Sequence, residues 1–86
     1  MSGRDWTVAP GDTLAEWMEE VGISERVLAK ACSIDRHTLS GILKGQVSIN
    51  AEMAGRLHRA TGISARFWIT FEKQYRADLE AGHKRS

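Results

Sequence analysis

Glu25-Arg26-Val27-Leu28-Ala29-Lys30-Ala31-Cys32-Ser33-Ile34-Asp35-Arg36-His37-Thr38-Leu39-Ser40-Gly41-Ile42 is the stretch that decides how this chain folds. Two helices can meet at a steep angle across a turn of three or four residues only with particular side chains at the crossing. Ala29 is small where the two helices touch. Leu28, Cys32, Ile34, Leu39 and Ile42 supply the apolar contacts that lock the pair, and Ser33 occupies the turn position that usually needs a positive φ. A small residue and five apolar ones in this register predict a helix-turn-helix; an ordinary helical hairpin is the plainer alternative.

Outward from that pair, apolar residues keep a helical period and are punctuated by Gly or by Ser, Asp and Asn at cap positions. Before it, Leu14, Trp17, Met18 and Val21 recur at i, i+3, i+4 and i+7, with Pro10 just ahead of the helix, Asp12 in its first turn and Gly22 as its stop. The opposite face carries Glu16, Glu19 and Glu20. Ser24 is placed to cap the second helix, with Val27, Leu28 and Ala31 inward, and Asp35 the third, which runs from Arg36 to Lys44 and ends at Gly45. Asn50 caps a fourth, with Met53, Ala54 and Leu57 inward and Gly62 as its stop. Ser64 caps a fifth carrying Phe67, Trp68, Phe71 and Tyr75, of which Trp68 and Phe71 are expected in the core. The pattern predicts five short helices and no strand, with an N-terminal arm over 1–9, a domain over 10–81 and a frayed basic tail over 82–86.

Eighty-six residues allow one core, because a chain of this size buries only about 60% of the surface its unfolded form exposes. A charged fraction of 27% beside a hydrophobic fraction of 42% excludes wholesale disorder. The net charge of +1 leaves no global mark of nucleic-acid binding, so the placement of charges must carry that argument. The single cysteine, Cys32, can form neither an internal disulfide nor a zinc site alone. No apolar run approaches the roughly 20 residues of a membrane span, and no secretory signal pattern opens the chain. These features together predict a cytoplasmic protein.

From Pro10 to about Tyr75 the chain resembles the HigA-type antitoxins, a branch of the XRE-like helix-turn-helix proteins. The matching stretches are Pro10-Gly11-Asp12, Ser24 to Ala31, Asp35 to Gly45, Ile49-Asn50-Ala51-Glu52-Met53-Ala54 and Phe67-Trp68-Ile69. The last two are the more specific to the antitoxin branch. The resemblance implies an all-α, five-helix lambda-repressor-like DNA-binding domain, often a homodimer, encoded beside a small ribonuclease toxin and repressing its own operon. Three residues depart from the usual pattern. Glu25 stands where Gln commonly reaches toward a phosphate, Ser33 where Gly is usual, and Gly41 where relatives carry a longer side chain, so that backbone there can approach DNA more closely.

In such a motif the third helix enters the major groove with its N-terminal residues at the base edges. Arg36, His37 and Ser40 are the expected base contacts, Arg36 foremost because a guanidinium can pair with guanine through two hydrogen bonds. No acidic residue occurs from Arg36 through Ala51. Lys44, the turn amides around Gly45 and Gln46, and the side chains of Thr38 and Ser48 are therefore expected against phosphates. A two-fold dimer would set two such helices about 34–36 Å apart on a near-palindromic operator in double-stranded DNA. Phe67 and Tyr75 are the candidates for a dimer or toxin contact, and the acidic first helix suits a small basic ribonuclease toxin. A stand-alone or phage-type repressor, or a toxin-binding module that does not touch DNA, remains open from the residues alone. No nucleophile, base and orienting group occur together, no phosphate loop is present, and His37 and His58 belong to no ligand-spaced set, so neither enzyme chemistry, cofactor nor metal is expected.

Overall fold

Side chains that accept backbone N–H groups start four of the helices. The structure, a computed structural model, describes residues 6–7, 9–82 and 84–85. Its helices are α1 (Pro10–Val21), α2 (Glu25–Cys32), α3 (Arg36–Leu43), α4 (Ala51–Thr61) and α5 (Ala65–Glu80). Ser24 accepts from the Val27 amide at 3.3 Å, Asp35 from Thr38 at 3.2 Å, Asn50 from Met53 at 2.8 Å and Ser64 from Phe67 at 3.1 Å. All four are the predicted caps. Each satisfies a donor that the helix itself leaves open, worth about 1 kcal/mol. At α1 the arrangement differs: Pro10 is the first helical residue rather than the one before it, and the Asp12 carboxylate accepts from the Ala9 amide at 3.0 Å. Proline suits that position because its missing N–H would have had no partner.

Gly22 and Gly62 end α1 and α4 in the left-handed region, as expected. Ser33, the C-cap of α2, sits there too, with φ 56°, and among the described residues no other non-glycine residue has a positive φ. An L-residue in that conformation costs about 1–2 kcal/mol, part of which glycine would return as extra freedom of the unfolded chain. Ser33→Gly is therefore expected to raise stability by about 0.5–1 kcal/mol, read as a Tm several degrees higher; a lower Tm would show that the serine side chain contributes more than the strain costs.

Leu14, Leu28, Leu39, Ile42, Leu57 and Trp68 are fully buried and form the centre of the core. Ala29, Cys32 and Ile34 are all buried, and α2 packs on α3, as the motif requires. Three residues of the expected apolar stripes are exposed instead. Val21 is 57% and Val27 53% exposed, and Ala31 is exposed as well. α2 packs on both α3 and α4, and it turns Leu28, Ala29 and Cys32 toward them, a face rotated by one residue from Val27, Leu28 and Ala31.

α1 reaches α3 at its very start. A Cβ on Gly11 would overlap the carbonyl oxygen of Ile42 and lie 2.8 Å from that of Leu43, so glycine alone permits this approach. A parallel pair of two-residue strands, β1 (Trp6–Thr7) and β2 (Lys84–Arg85), joins the two ends of the described chain. The sequence gives no sign of it, since two residues are too few to show an alternating pattern. Of the expected N-terminal arm, residues 1–5 and 8 lie outside the described residues, and so do 83 and 86 of the expected tail.

Candidate nucleic-acid interface

The third helix is held by one edge and open on the other. Leu39 and Ile42 are buried and Leu43 half-buried on the inner side; Arg36, His37 and Lys44 are exposed, with Thr38 and Ser40 half-buried beside them. The Asp35 carboxylate, the acid nearest this surface in sequence, is engaged by the Thr38 amide. An amphipathic helix seated across α2 thus presents a polar, acid-free rim.

Two predicted details of the following turn change. The amide of Gly45 donates to the Ile42 carbonyl at 3.1 Å and that of Gln46 to the Gly41 carbonyl at 2.8 Å. Both close the end of α3, because the last carbonyls of a helix need donors, and neither is available to a phosphate. The side chains of Gln46 and Ser48 remain exposed. Gly45 contributes a turn conformation, φ 75°, rather than a phosphate contact. Gly41 is likewise not a place where DNA could approach the backbone. It is buried, and a Cβ there would overlap Cγ2 of Val47, whose amide also donates to the Gly41 carbonyl. Its lack of a side chain makes room for the turn folding back on α3.

Glu25 is half-buried in the first turn of α2, with Lys30 in the last turn. That order matches the helix dipole, giving Glu25 a stabilising role in place of a phosphate contact. Cys32 packs in the core, where burial pushes its thiol pKa up and keeps it protonated. His58 is exposed on α4.

On α5 the aromatic assignments exchange places. Tyr75 is 3% exposed and cannot line a docking face, whereas Phe71, expected in the core, is half-exposed. The inward stripe is Trp68, Glu72 and Tyr75, at i, i+4 and i+7, and the charged member hides it from a reading of apolar period. Phe67 remains at the surface, 5.4 Å from Phe71 and edge-on to Trp68, and lines a shallow groove with Thr70, Phe71 and Gln74. On the far side of the domain's sequence, Glu16, Glu19 and Glu20 of α1 surround the half-buried Trp17 in a second groove.

Two arginines escaped the sequence reading. Arg56 donates to the carbonyl of Ser33 and to the Glu52 carboxylate, tying α4 to the turn of the helix pair. Arg76 pairs with Glu72 and reaches the carbonyl of Gly45. The Glu52–Arg56 spacing was visible as an i, i+4 pair; the backbone acceptors, 23 and 31 positions away, were not.

A short helix crossed by a second one with a polar outer rim is the arrangement of a helix-turn-helix domain. Residues 14–68 match the helix-turn-helix family, and the chain belongs to that family, in its HigA-type antitoxin branch. Antitoxin HigA-1 of Vibrio cholerae is 34% identical over 73 residues, spanning 84% of this chain and 67% of that protein. The Pseudomonas aeruginosa antitoxin HigA, solved with the higBA promoter, superposes with a TM-score of 0.80 at 34% identity over 85% of this chain and 80% of that one. A Pseudomonas aeruginosa protein in complex with an 18-base-pair operator DNA gives a TM-score of 0.81 at 33% identity, covering 91% and 84%. Among the described residues no helix is long and apolar enough to cross a membrane.

Proposed function

We propose that this chain is an antitoxin that represses its own operon, binding a near-palindromic operator in double-stranded DNA as a homodimer and neutralising a small basic ribonuclease toxin in the cytoplasm. The observation that carries the DNA reading is the exposed, acid-free rim of α3, with Arg36 at its N-terminal end. Arg36, His37 and Ser40 read bases; Thr38, Lys44, Gln46 and Ser48 meet phosphates through their side chains. That similar proteins are solved with promoter or operator DNA supports the reading that this chain binds operator DNA. Phe67 and its groove on α5 suit the dimer seam, and sedimentation at tens of micromolar tests it, a monomer counting against the proposal.

The carboxylates of Glu16, Glu19 and Glu20 around Trp17 favour a basic protein partner on α1. The DNA reading is tested by titrating the chain onto duplex from upstream of its own gene and onto a shuffled duplex of equal length. Preference for the first is the expected result; equal affinity would overturn the repressor reading. Reversing the charge of Glu16 and Glu19 is expected to abolish toxin neutralisation while operator binding persists.

A further inference from the structure

Glu72 lies on the inward stripe of α5 between Trp68 and Tyr75, with its side chain 9% exposed. A carboxylate held so far from water needs a partner, and Arg76, one turn on, supplies it through Nε. The same guanidinium lies over the Tyr75 ring, 4.9 Å from its centroid, and its Nη2 donates to the Gly45 carbonyl at 3.4 Å. Those three contacts leave the guanidinium little freedom. The third one lands on the turn that carries Gln46 and Ser48.

The turn's other ties run to α3 and the core: the Gly45 amide donates to the Ile42 carbonyl, and Val47 packs against the core. The amides of Gln46 and Val47 both donate to one acceptor, the Gly41 carbonyl, and Val47 packs against Gly41. Its near side is thereby hung from α3, while Arg76 holds Gly45 from α5. We infer that Arg76, oriented by Glu72, is a positioning residue for DNA binding: it fixes the turn from Gly45 to Ser48 so that Lys44, Gln46 and Ser48 meet the phosphate backbone together. The inference rests on the DNA contacts proposed above and adds a determinant of affinity to which no DNA contact is assigned. Arginine suits the role because its rigid planar fork presents separate donors, Nε to the carboxylate and Nη2 to the carbonyl, in a fixed geometry that a flexible ammonium lacks.

The test uses the full chain as wild type, as Arg76→Lys, which keeps the charge beside Glu72, and as Glu72→Gln, which keeps the arginine but frees it. A double variant, Glu72→Met with Arg76→Met, leaves no unpaired buried charge if the single changes fail to fold. Affinity for the upstream duplex and an unrelated duplex is measured over a range of salt, and amide exchange of Gln46 and Val47 is followed without DNA. All variants are expected to bind both duplexes roughly tenfold more weakly, with the ratio between duplexes kept and the salt slope smaller by about one. The two amides are expected to exchange faster. Wild-type affinity, slope and exchange in folded variants would overturn the inference, and tighter binding by Glu72→Gln would do so by making Arg76 a direct phosphate contact. Should the wild type prefer no duplex and bind none, the DNA reading itself fails, and faster exchange in Arg76→Lys would then assign the tie a structural role only, overturning its part in DNA binding.

Discussion

Gly11→Ala is expected to destabilise the domain by about 3 kcal/mol, the upper end of what overpacking commonly costs. The added methyl would meet the backbone of Ile42 and Leu43, which cannot swing aside as the tip of a side chain can. α1 must therefore lift from the end of α3, loosening Leu14 and Ile42 together. A domain of this size has roughly 5–15 kcal/mol in all, and each kilocalorie moves its midpoint by about 4–8 °C. Thermal unfolding of Gly11→Ala should fall by roughly 15 °C. Gly55→Ala provides the opposite sign in the same assay. A Cβ at Gly55, inside α4, meets nothing within 4 Å, so alanine there should gain nearly the full helix-propensity difference, about 0.8–1 kcal/mol. If both substitutions moved Tm the same way, the close approach of α1 to α3 would not be what selects glycine at position 11.

Arg36→Ala is expected to remove about 1–3 kcal/mol of preference for the operator, roughly 5- to 150-fold, while binding to unrelated duplex changes little. The reason is positional. Arg36 is the first residue of α3, exposed, and directly follows the cap that fixes the helix start, so it stands at the end proposed to enter the groove. Lys44→Ala at the other end should weaken every duplex by a similar factor and reduce the salt slope by about one, as loss of one phosphate contact does. The two variants thus separate reading from gripping. Equal losses on operator and unrelated DNA for Arg36→Ala would make it a backbone contact and move recognition to His37 and Ser40.

The rotation of α3, which sets the candidate site, was legible in the sequence. The exposed rim from Arg36 to Lys44 stands as expected, because the cap at Asp35 and the apolar edge of Leu39 and Ile42 set the rotation of α3. The turn after it was misread. Whether the Gly45 and Gln46 amides face solvent or the helix end depends on the path of the backbone, and no residue type announces that. Gly41 was misread for a related cause: its partner, Val47, is a neighbour only once the turn has folded back.

What the amino-acid order determined alone is whatever acts over three or four residues. The caps Ser24, Asp35, Asn50 and Ser64, the breaks at Gly22, Gly45 and Gly62, the positive φ of Ser33 and the number of helices all belong to that set, since each depends on a side chain and the nearest turn of backbone. Tertiary structure decided the remainder. It turned Tyr75 inward and Phe71 partly outward, exposed Val27, demanded a bare Gly11, paired Trp6–Thr7 with Lys84–Arg85, and sent Arg76 to a carbonyl 31 residues away. A helical period gives a stripe to within one residue, about 100° of rotation, and only the neighbouring helices choose between adjacent stripes.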